Sequence, residues 1–290
     1  MEKITPFLKL IRPIHWAKNI FVFTGIIFGE AQGDPLILLH VVFAAVSFSF
    51  AASAIYVIND IADVEQDRLH PQKKKRPIAS GKISPSSAMA LALGCAAAAL
   101  IFGYFASLTV LLIIAIYALI NIAYSLRLKQ IVILDVFCIA SGFMLRILAG
   151  TVGVGIPPSK WLLLCGLMIT LFLGFAKRRA ELIALKGDEK NRRSVLYDYG
   201  PVLLDEITAI CATGVIICYS LYTMSPDTIR VHQTEDLIYT VPFVIYALFR
   251  YLYILHHNQK AEDPATDLFK DPHIIFSVAG WTLLTVCLIL

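Results

Sequence analysis

The sequence predicts an all-α polytopic membrane protein, a single transmembrane domain over 1–290 with nine spanning helices. Three observations lead there. Hydrophobic residues make up 58% of the chain and charged residues 16%, against about 25% charged in a typical soluble domain. The apolar residues gather in blocks such as 36–58, 86–120, 131–145, 161–176 and 207–224, on the scale of the ~20 residues a helix needs to cross a bilayer. Lys and Arg concentrate in alternate segments between the blocks.

The helices are expected near 14–30, 36–60, 86–106, 108–126, 131–153, 160–178, 204–224, 236–256 and 273–290. The first apolar run follows "RPIHWAKN", and no small-residue cleavage site closes it, so it reads as a span rather than a cleaved signal. The third and fourth meet at the tight break Gly103–Ser107 and form a short hairpin. "GVGIPPSK" ends the fifth and "MSPDT" the seventh, with proline where a helix cannot continue. The last two rest on hydropathy. The six Cys all lie in apolar bands without a C-x-x-C pair, and read as small buried hydrophobes. His256 and His257 read as a solvated loop.

One side of the membrane collects Lys3, Lys9, Arg12, Lys18, the 61–85 loop, Arg127, Lys129, the 177–193 part of the 177–206 loop and the 250–270 loop. The other carries Lys160 and Arg230. Loops rich in Lys and Arg stay in the cytoplasm, so the N-terminus and active-site loops are expected there, in the cell inner membrane, with the C-terminus opposite. Each long inward loop follows an even-numbered helix, which suggests two related halves.

The loop chemistry is concentrated in "YVINDIADVEQDRLHPQKKKRPIASG". Asn59, Asp63 and Asp67 are spaced by four, with Asp60 between, so on a helix they form one slowly winding face rising about 6 Å per step. Carboxylates so close repel one another, and a divalent cation relieves that. Mg²⁺ takes oxygen ligands and shares its shell with water and phosphates. Arg68, Lys73, Lys74, Lys75, Arg76 and Lys82 follow. Arg76 stands out, because Pro77 restricts its backbone and its planar fork suits bidentate phosphate contact.

Asp135 and Arg146 fall inside the fifth span, where a lipid-facing charge costs roughly 2.5–3.5 kcal/mol on insertion scales. Lying about 16 Å apart along a helix, they need separate partners and an internal setting. Tyr124 and Lys129 sit at the fourth span's end, and Lys177, Arg178, Arg179 and Glu181 in "KRRAEL" after the sixth. With so few acids nearby, this loop is not expected to neutralise itself. An acidic face suited to Mg²⁺ and several cationic patches on one membrane side point to lipid-phosphate chemistry. Nothing points to nucleic acid.

With these residues assigned, "NDIADVEQD" and "RPIASG" resemble the UbiA superfamily of intramembrane transferases. The likeness is greatest to its decaprenyl-phosphate phosphoribosyltransferase branch, through "RPIHWAKN", "HPQKKKRPIASG", "YSLRLKQIVILD", "SGFMLRILAG" and "FAKRRAEL", in order over about 9–225. The resemblance implies a UbiA-like bundle with a cytoplasm-facing active-site cavity. It implies Mg²⁺-dependent transfer of a 5-phosphoribosyl group from phosphoribosyl pyrophosphate to a polyprenyl phosphate, releasing pyrophosphate, for cell-envelope sugar donors. Asn59, Asp60, Asp63 and Asp67 are then the expected metal-holding and catalytic residues. Lys18, Lys73, Arg76, Tyr124, Lys129, Arg146, Lys177 and Arg178 are the expected phosphate contacts, with Asp135, Glu181 and Arg179 as lesser candidates. Superfamily members that prenylate aromatic acids carry a second Asp-rich motif where this chain has "KRRAEL", which argues against the alternative of a prenyltransferase. A non-enzymatic lipid-phosphate carrier fits the acidic motif poorly. A homo-oligomer is left open.

Overall fold

The computed structural model describes residues 4–29, 34–69, 73–184, 195–257 and 271–289. The α-helices are α1 (Ile4–Ile11), α2 (Thr24–Phe28), α3 (Pro35–Ala62), α4 (Val64–Leu69), α5 (Pro85–Ala106), α6 (Leu108–Leu126), α7 (Leu134–Ala149), α8 (Lys160–Ala184), α9 (Val195–Asp198), α10 (Pro201–Thr223), α11 (Pro226–His232), α12 (Val241–His257) and α13 (Pro272–Ile289). Among the described residues no strand occurs, and eight helices are long and apolar enough to cross a membrane. The chain divides into two compact units, Met1–Leu126 with Leu145–Pro158, and Arg127–Met144 with Ser159–Leu290. The division falls inside α7.

In the first unit α3 packs along α5. The buried face of α5 is Ala88, Ala92, Cys95, Ala99, Gly103 and Ala106, small residues at three- and four-residue steps. The facing stretch of α3 is also small, with Ala44, Ala45, Ser47, Ala51 and Ala52 buried. Such faces let helix backbones approach, which is how membrane helices gain dispersion energy where lipid offers no hydrophobic drive. The approach is close enough for the Ser47 hydroxyl to donate to the Ala99 carbonyl at 2.5 Å.

The expected first span differs from a simple helix. Pro13–Phe23 is a 3-10 helix that runs directly into α2. Eleven residues at ~2.0 Å and five at ~1.5 Å reach about 30 Å, the thickness of a hydrocarbon core, so the segment has the length of a span without being one α-helix. Long 3-10 runs are uncommon, and side chains hold this one in place. Trp16 Nε1 donates to Ser53 Oγ at 3.0 Å, and Asn19 Nδ2 to Ser49 Oγ at 2.7 Å. Three 3-10 steps and four α steps both rise about 6 Å, so the two ladders stay in register. Farther along, backbone meets backbone: a Cβ on Gly150 would lie 1.6 Å from the Val22 carbonyl oxygen.

In the second unit α8 packs along α10, and α12 along α13. The core joins Val136 and Ala140 of α7 to Phe172, Phe175 and Ala176 of α8, Leu204 and Cys211 of α10, and Tyr251 of α12. α8 continues six residues beyond its expected end, so Lys177, Arg178, Arg179 and Glu181 lie on a helix rather than in a loop. The buried partners described below explain the extension. Residues 185–194 of the expected 177–206 loop lie outside the described residues.

Gly150→Ala should destabilise the protein by on the order of 3 kcal/mol, because the added methyl has no room. Gly94→Ala, on an open stretch of α5, should be neutral or stabilising by up to about 1 kcal/mol. Thermal unfolding of the two variants in detergent checks the contrast.

Candidate active site

Asn59 and Asp60 sit in the last turn of α3, and Asp63 caps that helix with φ −90° and ψ 7°. α4 resumes at once. The Asp63 N–H donates to the Asn59 carbonyl at 2.9 Å, and the Asp67 N–H to the Asp63 carbonyl at 2.8 Å. The four-residue step therefore survives the break. Asp60 and Asp67 are buried, while Asn59 and Asp63 are half-buried.

Two arginines hold the buried carboxylates. Arg12 Nη2 donates to Asp60 Oδ1 at 2.6 Å. Arg76 Nη1 donates to the same oxygen at 3.0 Å and to Asp67 Oδ2 at 2.7 Å. Ser125 Oγ donates to Asn59 Oδ1 at 3.0 Å. Among the described residues the Asp63 carboxylate has no hydrogen-bond or ion-pair partner. Two guanidiniums thus balance two carboxylates, and Asp63 is the surplus anion. No three His, Cys, Asp or Glu side chains form a group that could hold a metal ion among the described residues; Asp60 and Asp67 meet at Arg76.

In the sequence, Arg12 stands out only as one of the charges that set the topology. Its backbone is left-handed, φ 52° and ψ 62°, immediately before Pro13. A non-glycine residue held there costs about 1–3 kcal/mol, so the surroundings must enforce it. The ion pair with Asp60 and a stack over the Tyr56 ring, 5.0 Å to the centroid, do so. A sequence signal was present: both arginines on Asp60 precede a proline, Arg12–Pro13 and Arg76–Pro77.

The other expected phosphate contacts scatter. In the first unit, Lys18 is exposed on the 3-10 segment, and Lys73 and Tyr124 are half-buried. Arg146 is 4% exposed. Its Nε donates to Asn19 Oδ1 at 2.7 Å and its Nη2 to the Tyr117 hydroxyl at 3.3 Å, and the guanidinium lies over the rings of Phe48 and Tyr117. It joins the 3-10 segment, α3, α6 and α7. Lys129 is half-buried in the second unit, in the 3-10 turn Leu128–Gln130.

The second unit holds a separate charge cluster. Asp135, fully buried, accepts from Arg178 Nε at 2.7 Å and from the Tyr199 hydroxyl at 2.7 Å. Arg178 Nη1 also donates to Glu181 Oε2 at 2.6 Å. Arg179 pairs with Asp205 and donates to the Leu255 carbonyl. Beyond Glu181, the acids that neutralise "KRRAEL" come from outside it, Asp135 from α7 and Asp205 from α10. Lys177 alone of the three adjacent cations is exposed. Burial, with the hydrogen bond to Asp135, holds the Tyr199 phenol above its usual range, so it stays a protonated donor. The same oxygen accepts from the Ile133 N–H at 2.5 Å, and Ile133 is β-branched with φ 70°, a rare strained state.

Asp135→Asn should cost about 3 kcal/mol or more, because it leaves the buried Arg178 without its main counter-charge. Tyr199→Phe removes hydrogen bonds only and should cost about 1 kcal/mol. Denaturant unfolding of both variants and of the double variant measures the coupling between them.

Comparison with known proteins places these observations in a family. Residues 19–270 match the model of the UbiA prenyltransferase family. The chain is 34% identical over 260 residues to a decaprenyl-phosphate phosphoribosyltransferase of Mycolicibacterium smegmatis, covering 86% of this chain and 81% of that protein. A protein of the same name from Corynebacterium glutamicum is 34% identical over 252 residues, 84% and 75% of the two chains. The solved structure of a UbiA homolog from Archaeoglobus fulgidus bound to GPP and Mg²⁺ superposes with a TM-score of 0.72 at 19% identity, over 98% of this chain and 96% of that one, which establishes the fold.

Proposed function

The chain belongs to the UbiA prenyltransferase family, and on that premise we propose that it transfers the 5-phosphoribosyl group of phosphoribosyl pyrophosphate to a polyprenyl phosphate, releasing pyrophosphate. The observation that carries this reading is the charge balance at the acidic motif. Asp60 and Asp67 are neutralised within the protein, and Asp63 remains as an anion that calls for a cation. The names of relatives 34% identical over more than four-fifths of the chain support the choice of substrates.

The motif suits magnesium. Its donors are amide and carboxylate oxygens, with no sulfur or imidazole, which suits a hard ion that keeps water and phosphate ligands. Asn59, Asp60, Asp63 and Asp67 would hold it. Bound there, the ion would stabilise the diphosphate as a leaving group.

The chain's own groups do the rest. As the C1–O bond of the ribose breaks, positive charge builds on the ring, and the Asp-rich face favours it. The acceptor phosphate is already anionic, so its attack needs no strong general base. Positioning and electrostatics carry the rate. Lys18, Lys73, Arg76, Tyr124, Lys129, Arg146, Lys177 and Arg178 are the candidates to grip phosphate. Exposed Lys177 can do so directly, whereas Arg178 would first have to leave Asp135 and Glu181. The active-site loops and N-terminus lie on the cytoplasmic side of the inner membrane in this reading, and the polyprenyl tail runs among the apolar helices.

Labelled phosphoribosyl pyrophosphate with polyprenyl phosphate and Mg²⁺ should give labelled lipid. Prenyl diphosphate with aromatic acids should give no prenylated product; the reverse pattern overturns the assignment. Asp63→Asn should lose at least 100-fold in turnover, roughly the loss of 3 kcal/mol of transition-state stabilisation, with unchanged thermal unfolding since no internal pair is broken. Lys177→Ala should raise KM about tenfold for one phosphorylated substrate, as loss of one charge-assisted contact. Steady-state kinetics on each substrate shows which one.

A further inference from the structure

We propose that Arg12 sets which divalent cation the acidic motif accepts, by leaving Asp60 one oxygen to offer. This rests on the reading of that motif as the site of a metal on a diphosphate. Asp60 Oδ1 receives two guanidinium N–H groups, from Arg12 at 2.6 Å and Arg76 at 3.0 Å. A carboxylate oxygen has two lone pairs, so both are taken. Among the described residues no hydrogen bond or ion pair reaches Asp60 Oδ2. Asp67 Oδ2 receives a single N–H, from Arg76 at 2.7 Å, and keeps a lone pair.

With both lone pairs of one oxygen taken, the Asp60 carboxylate can bind a metal end-on but not through both oxygens. That distinguishes cations. Mg²⁺ demands a tight octahedron and takes carboxylates singly, alongside water and phosphate. Ca²⁺ takes six to eight oxygens and readily uses carboxylates bidentately. Asp60 held in this way therefore suits the smaller ion. Hydrogen bonds that orient metal-binding carboxylates commonly tune affinity in this way.

Arg12 is the decisive donor. Arg76 divides one nitrogen between Asp60 and Asp67, whereas Arg12 serves Asp60. Its position is built in by the left-handed backbone ahead of Pro13 and the ring of Tyr56 under its guanidinium. Arg12 acts through Asp60 and is a positioning residue.

The test uses the full chain in detergent, with Mn²⁺ followed by its spin-resonance signal and displaced by Mg²⁺ or by Ca²⁺. In the wild type Mg²⁺ should displace Mn²⁺ at lower concentration than Ca²⁺ does. Arg12→Gln should shift the Mg²⁺-to-Ca²⁺ ratio about tenfold toward Ca²⁺, and Arg12→Lys, which restores one donor, should recover most of it. A general loosening, or the simple loss of a positive charge, moves both ions alike and leaves the ratio unchanged; that result overturns the proposal. Should Arg12→Gln fail to fold, Tyr56→Leu frees the same guanidinium with its charge intact and must move the ratio the same way. Mn²⁺ binding to the wild type with an unaltered ratio in the variants defeats the role of Arg12 alone. Absence of Mn²⁺ binding to the wild type defeats the metal reading beneath it.

Discussion

A charge buried at the end of a membrane helix must bring its counter-charge with it, and the architecture of both units follows from that constraint. Isolated ions in an apolar medium are so costly that they are found paired or bound to metal. In the first unit Asp60 on α3 receives Arg12 from before the 3-10 segment and Arg76 from beyond α4. In the second, Asp135 on α7 receives Arg178 from α8, and Asp205 on α10 receives Arg179. Each pair ties together segments that packing alone would leave free to slide, since lipid competes equally for apolar faces. The same pairs arrange the polar chemistry: Asp60, Asp67, Asp135 and Asp205 each meet an arginine, and among the described residues the Asp63 carboxylate meets none.

Much of the fold was legible because its determinants are local. Apolar blocks of bilayer length mark the helices, and proline or small polar residues mark their ends, so α3, α5, α6, α10, α12 and α13 lie close to where hydropathy puts them. The first span was only half legible. Its hydropathy was plain, but its 3-10 geometry depends on Trp16 and Asn19 meeting Ser53 and Ser49, a match of two helical pitches that a pattern in one segment does not contain.

The site divides in the same way. The spacing of Asn59, Asp63 and Asp67 reports its own geometry and survives the break between α3 and α4. The partners of the charges do not, because each lies far off in sequence: Arg12 is 48 residues from Asp60, and Arg178 is 43 from Asp135. Local counting therefore could not identify the acids that meet Arg178 and Arg179, and overlooked Arg12. The shared Arg–Pro dipeptide was the available clue, since a proline that limits the preceding backbone gives an arginine a fixed direction.

The first unit is discontinuous, and this bears on how the chain is made. Asn19 and the buried Arg146 that it accepts from are 127 positions apart, and Val22 waits for Gly150 in the same way. A ribosome delivers all six N-terminal helices, and then the opening of α7, before that closing stretch emerges. Until it does, the 3-10 segment has its serine ladder on α3 but neither its guanidinium nor its glycine seat. Completion of the first half during synthesis is therefore gated by residues that arrive only after the second half has begun. The order of translation runs against the order of closure, and α7 is the hinge in time between them.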